Sequence, residues 1–154
     1  MYSPLLFLHS WLRWVVLLAG LVVVVRAIAG MNGKRAWTAA DAKSGLFFIA
    51  SLDLQFLIGL ALYLVFSPTV QAAFGNIGAA MRTPEYRFYV VEHALGMIVA
   101  IALAHVGRTK SRKANTDAAK FRTAGIFYGL ALLIMLASIP WPGMPGGRPL
   151  IRGM

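Results

Sequence analysis

Four apolar runs decide what this chain can fold into: Leu5 to Ile28, Leu46 to Phe66, Phe88 to Gly107 and Ala124 to Ile139. A bilayer core about 30 Å thick takes about 20 helical residues to cross, so the first three runs span it and the fourth falls a little short. Backbone N–H and C=O groups find no water in lipid, so each run must close its hydrogen bonds internally, as a helix. The expectation is an all-α, polytopic membrane protein, a single four-helix up-down bundle over residues 1–154. Composition agrees. The chain is 59% hydrophobic and 13% charged, with a mean hydropathy of +0.71, whereas a soluble domain carries about 25% charged residues.

The net charge of +10 would suggest nucleic acid as a partner for a soluble protein. Here the cations sit mostly in short loops between apolar runs, where they set orientation, and nucleic acid is not expected as a partner. The first connection holds Arg26, Lys34, Arg35 and Lys43, and the third holds Arg108, Lys110, Arg112, Lys113, Lys120 and Arg122. The opposite side has only Arg82, Arg87, Arg148 and Arg152. The positive-inside rule then puts the first and third connections in the cytoplasm. Both termini face the periplasm of a bacterial inner membrane. Ala27-Ile28-Ala29 resembles a signal cleavage site, but no cation precedes the first run and Arg13 interrupts it, so an uncleaved helix is expected. No cysteine is present, which excludes disulfides and thiolate metal sites.

The loops are short apart from two stretches. Val70 to Met81, rich in alanine, reads as a short helix on the membrane surface. The tail Pro140 to Met154 is rich in proline and glycine and cannot extend the fourth helix, because Pro140 and Pro142 lack the N–H a helix needs. Trp141 stands where an interfacial aromatic would anchor that end. No Walker motif, nucleophile elbow, zinc-protease motif or dinucleotide fingerprint occurs. Nothing supports hydrolysis or group transfer, and no catalytic activity of the chain's own is expected.

Polar residues inside apolar runs are costly in lipid and are read as functional candidates. His9 and His93 each lie about five residues into helices that start on the same side, roughly 7 Å deep at 1.5 Å per residue. Two histidines at one depth on two helices of a small bundle fit axial ligation of a b-type haem iron. Arg13, one turn beyond His9 on the same face, is placed to pair with a haem propionate. Gly20 shares that angular position. Gly96, Ala100, Ala104 and Gly107 form a stripe of small residues beneath His93, which admits either a flat macrocycle or a neighbouring helix. The plainer readings stand beside these. Either histidine can hydrogen-bond a neighbouring helix, Arg13 can pair with a buried Glu92, and the stripe can be helix packing. For Gly125 and Gly129, a G-x-x-x-G, packing is the expectation.

Asp53 and His105 form a second polar level. His105 is twelve residues from His93, which turns it about 120° away. With three histidines in the chain, a second bis-histidine haem is short of a ligand. Asp53 is expected to contact Gln55, a hydroxyl or water, and His105 to be interfacial.

These residues carry a resemblance. Leu8-His9-Ser10 with Arg13-Trp14, Leu54-Gln55-Phe56-Leu57-Ile58-Gly59-Leu60 with Leu62-Tyr63, and Arg87 with Glu92-His93 occur in order. They are followed by Gly107-Arg108 with Lys110 and Lys113, and by Ile139-Pro140-Trp141-Pro142. In this the chain resembles small four-helix membrane proteins of Bacteroidota and related bacteria labelled cytochrome b or cytochrome b-like. It departs at Asp53, where many relatives are expected to carry histidine. The reading that follows is a membrane electron-transfer subunit with one haem b between His9 and His93 near the periplasmic face. It would exchange electrons with a quinone or a periplasmic carrier and with other membrane subunits of a larger complex. The alternative is a cofactor-free accessory subunit of a respiratory, photosynthetic or transport assembly. A variant has the histidines ligating chlorophyll magnesium.

Overall fold

The structure, a computed structural model, describes residues 1–144 and 146–151. Arg152 and the rest of the tail to Met154 lie outside the described residues. The elements in order are α1 (Tyr2–Gly30), α2 (Ala39–Ala61), a π-helical turn (Leu62–Phe66), α3 (Pro68–Gly75), α4 (Ile77–Arg82) and α5 (Pro84–Arg87). A second π-helical turn (Phe88–Glu92), α6 (His93–Lys113) and α7 (Asp117–Ser138) follow. No strand occurs among the described residues. Four continuous helices are long and apolar enough to cross a membrane: Tyr2–Gly30, Ala39–Phe66, Pro84–Lys113 and Asp117–Ser138.

Local sequence sets the helix ends. The Thr38 backbone N–H and hydroxyl both donate to Asp41 at the start of α2, at 2.9 and 2.6 Å. Thr116 accepts from the Ala119 N–H at the start of α7, and Ser67 followed by Pro68 starts α3. Each supplies an acceptor for a backbone donor that has no partner inside its helix. The fourth apolar run was too short because hydropathy marks only the greasy stretch. The helix itself begins seven residues earlier, at Asp117, and its polar first turns still bury Phe121 completely. The expected surface helix over residues 70–81 is two helices, α3 and α4, divided at Asn76, whose side chain caps α4.

The core uses small residues so that backbones approach closely. Val16, Ala19, Val23 and Ala27 of α1 meet Phe48, Ile49 and Leu52 of α2, Ala100 and Ala104 of α6, and Ala124, Tyr128, Ala131 and Met135 of α7. The stripe on α6 is helix packing. A side chain added at Gly96 would run into Ser138, and one at Gly107 into Phe127, both on α7. Gly20 likewise faces Phe48 and Leu132, and Gly125 packs on Met31 and Ala27, whereas Gly129 meets nothing within 4 Å. Outward, large apolar side chains such as Leu18 (62% exposed) and Leu133 (64%) ring the bundle. That is a lipid-facing pattern, since a soluble monomer does not leave so continuous an apolar surface in water.

Around the bundle, α6 packs most extensively on α7, and α1 packs on both α7 and α2, whereas α2 and α6 meet thinly. This α2–α6 seam organises the polar chemistry. A cavity opens along it at the histidine end, and a basic pocket lies at the other end. Between them Asp53 bonds His105 across the seam at 2.8 Å. The expected contact of Asp53 with Gln55 therefore does not form, and His105 takes its place. Two residues apart on a helix, their side chains point about 200° from each other, and Gln55 turns inward to α1.

Candidate functional site

His9 sits two turns into α1, and His93 is the first residue of α6, directly after a π-helical turn. The extra residue in a π turn re-aims the side chains that follow it, and such turns recur at functional sites. The other π turn ends α2 at the same end of the bundle. The two are tied where the Tyr63 hydroxyl donates to the Val90 carbonyl at 2.9 Å. Around them Val70, Ala73, Ala80 and Val90 build a small second core.

The fold brings the two histidines together. Their ring centroids lie 6.3 Å apart with planes at 73°. His93 is held by the Ser138 carbonyl, 2.7 Å from its Nδ1. That carbonyl is free because α7 ends there and the residue four positions on, Pro142, has no N–H. A carbonyl only accepts, so Nδ1 carries the proton, and the neutral ring keeps its lone pair on Nε2. Phe88 and Tyr89 pack beside the ring, at 6.0 and 6.4 Å between centroids. His9 is held differently. Gln55 Nε2 donates to the His9 backbone carbonyl at 2.9 Å. Gly59 leaves room for the ring: a Cβ there would stand 3.0 Å from His9 Cε1.

Three buried polar atoms around this pair have no partner among the described residues: His9 Nδ1, Gln55 Oε1 and Arg13 Nε. Leaving a buried polar group unpaired costs about 1–3 kcal/mol, so three in one place single this end of the bundle out as a candidate site. They border a cavity of about 270 Å³ lined by His9, Arg13, Gln55, Tyr63, His93 and Arg148, with apolar walls from Val16, Leu52, Met97 and Met135. No carboxylate lines it. Its interior therefore offers neutral nitrogen donors and greasy walls, and its mouth offers two guanidinium groups, which favours an anionic end on whatever occupies it.

The tail shapes that mouth, which sequence reasoning missed. Arg13 Nη2 and Trp14 Nε1 both donate to the Leu150 carbonyl, at 2.9 and 3.0 Å. The Tyr89 hydroxyl donates to the Gly146 carbonyl, and Arg148 Nε donates to the Tyr89 oxygen at 2.8 Å. Proline and glycine content signalled only that the helix stops. The buried histidine–arginine end of α1 was the available hint that something must cover it.

The remaining candidates fall elsewhere. Glu92 is not buried with Arg13: its side chain is 49% exposed and bonds Arg87 at 2.8 Å. The π turn rotates Glu92 to the surface while His93 turns inward. Asp53 and His105 lie on the outer side of the seam, with side chains 43% and 50% exposed. No cluster of three or more His, Asp or Glu suited to a metal ion occurs among the described residues. No protein-family model, curated protein or solved structure matches this chain.

Proposed function

We propose that this chain is a b-type cytochrome-like electron-transfer subunit of a bacterial inner membrane, with one haem held between His9 and His93. The observation that carries the reading is the donor set. Two imidazoles are too few for an ordinary protein metal site, which takes three or four protein ligands. They would suffice for a metal carried inside a macrocycle, as in haem. The fold brings the two rings close enough to serve one bound group, with centroids 6.3 Å apart.

The chain's own residues fit the remaining needs. The Ser138 carbonyl fixes the His93 tautomer that leaves Nε2 free to ligate, as the outer partners of ligating histidines do. Gln55, which holds the His9 backbone through its Nε2, keeps its Oε1 unpaired at the same site, as does His9 its Nδ1. Arg13 and Arg148 at the mouth suit the two propionates, and the apolar walls keep water out. Bound there, the group would supply one-electron transfer, with His9 and His93 as the residues that would hold it.

The wider setting rests on charge and exposure. The basic end faces the cytoplasm, so the site and both termini lie on the periplasmic side, within reach of a quinone or a periplasmic carrier. The exposed Asp53–His105 pair favours membership of a larger complex, because a neighbouring subunit covers such a pair at lower cost than lipid does.

The test is an absorption spectrum of the purified protein, oxidised and then reduced with dithionite. A reduced b-type spectrum is expected. It should vanish in His9→Ala and in His93→Ala and persist in His105→Ala. A protein that folds with no haem, even when haem is supplied, overturns the proposal in favour of a cofactor-free accessory subunit.

A further inference from the structure

The opposite end of the α2–α6 seam holds a second pocket, of about 280 Å³, with a chemistry unlike the first. Lys43 contributes from α2, Arg108 and Arg112 from α6, and the Tyr128 phenol from α7. Asp41 also lines it, but its oxygens are already taken by Thr38, Arg26 and Arg35. Lys43, Arg108 and Arg112 have no ion pair or hydrogen bond among the described residues. Of the other cations at this end, five are engaged: Arg26 and Arg35 with Asp41, Lys120 with Asp117, Arg122 with the Met31 carbonyl, and Lys110 over the Phe127 ring; Lys34 and Lys113 lie outside the pocket.

Arg108 is half-buried and stands within electrostatic reach of the Tyr128 phenol. Tyr128 is itself buried, at 4% exposure, and its hydroxyl has no hydrogen-bond partner among the described residues. A half-buried guanidinium with no carboxylate, beside an unengaged hydroxyl, is an unfilled anion-binding set. Loop cations that only fix orientation need no such cavity; they sit in water at the bundle's end. We infer that the pocket of Lys43, Arg108, Arg112 and Tyr128 binds a phosphate group, presented by an anionic phospholipid of the adjoining leaflet. Two features favour a lipid over free phosphate. The pocket sits at the helix ends, at headgroup level. Leu46, which lines the pocket, is 49% exposed, and the neighbouring Phe47 (59%) and Val106 (41%), two residues before Arg108, add exposed apolar surface for acyl chains. Basic pockets between membrane helices bind anionic headgroups in this way. The inference does not depend on a haem at the other end.

The experiment is native mass spectrometry of the full-length, delipidated protein titrated with phosphatidylglycerol, with phosphatidylcholine and with inorganic phosphate. Phosphatidylglycerol should bind at least tenfold tighter than phosphatidylcholine, and millimolar phosphate should compete weakly. Arg108→Gln should weaken phosphatidylglycerol by about fivefold or more, the effect of one cation near a headgroup. Lys43→Gln combined with Arg112→Gln should weaken it further, and Tyr128→Phe by severalfold. Lys113→Gln removes a charge at the same end but outside the pocket and should change nothing. Circular dichroism establishes that each variant is folded. Equal losses in Lys113→Gln and Arg108→Gln would reduce the effect to diffuse charge and overturn the site. So would equal binding of the two lipids. Phosphate alone binding as tightly as phosphatidylglycerol would overturn the lipid assignment.

Discussion

Asp41→Asn tests whether a single buried carboxylate holds the basic end of the bundle together. Asp41 is 4% exposed. It receives the Thr38 N–H at 2.9 Å and hydroxyl at 2.6 Å, Arg26 at 2.8–2.9 Å, and Arg35. It thus joins the end of α1, the connecting loop and the start of α2. Asparagine keeps the shape but loses the charge, and its NH₂ sets a donor against donors. Loss of the cap costs about 1 kcal/mol. Breaking a fully buried ion pair costs about 3–5 kcal/mol. Here the Arg26 and Arg35 side chains keep 34% and 31% exposure and regain hydration, which reduces that loss to about 1–2 kcal/mol. The expected total is about 2–3 kcal/mol, or roughly 30- to 150-fold in the unfolding equilibrium. Unfolding in mixed detergent–SDS micelles, followed by helix circular dichroism, reads it directly. Glu92→Gln is the reference, because its pair with Arg87 is half exposed on both sides and should matter by less than about 1 kcal/mol. If Asp41→Asn unfolds no more readily than Glu92→Gln, the carboxylate is not the clamp described.

Two further outcomes are expected. Gly30→Ala places a methyl group well inside van der Waals distance of the Phe121 ring carbons, a ring that is fully buried and tilted against Trp37 with centroids 4.8 Å apart; overpacking of this kind costs about 1–3 kcal/mol. Gly129→Ala, with nothing within 4 Å, should be neutral or stabilising by about 0.4–1 kcal/mol. Equal unfolding midpoints for the two in the same detergent titration would refute the packing of α1 on α7. For orientation, a cysteine at Asn115, between α6 and α7, should react with a membrane-permeant maleimide in intact cells and resist an impermeant one. Labelling by the impermeant reagent would place the basic end outside.

The sequence by itself determined the number of spanning helices, because apolar length is a local property and lipid allows each run only one backbone solution. It also put His9 and His93 at one depth, since 1.5 Å per residue is fixed by the helix. Helix ends were less legible. Asp117 to Thr123 is too polar to read as membrane-spanning, yet it is helical because Thr116 caps it and Phe121 is buried beneath it. Rotation about the helix axis was decided by tertiary structure alone. A π turn directed His93 inward and Glu92 outward, and Asp53 found His105 fifty-two residues away rather than Gln55 two residues on. The stripe on α6 was legible as small but not as facing α7. The tail's return over the site was hard to see, because apart from Arg148 on Tyr89 its bonds are made by backbone carbonyls at Gly146 and Leu150. Every residue carries such a carbonyl, so no side chain announces which of them will be used. The unpaired Gln55 oxygen and His9 nitrogen were equally hidden: whether a polar atom is satisfied depends on what folding brings within hydrogen-bonding distance, and spacing along the chain does not contain that.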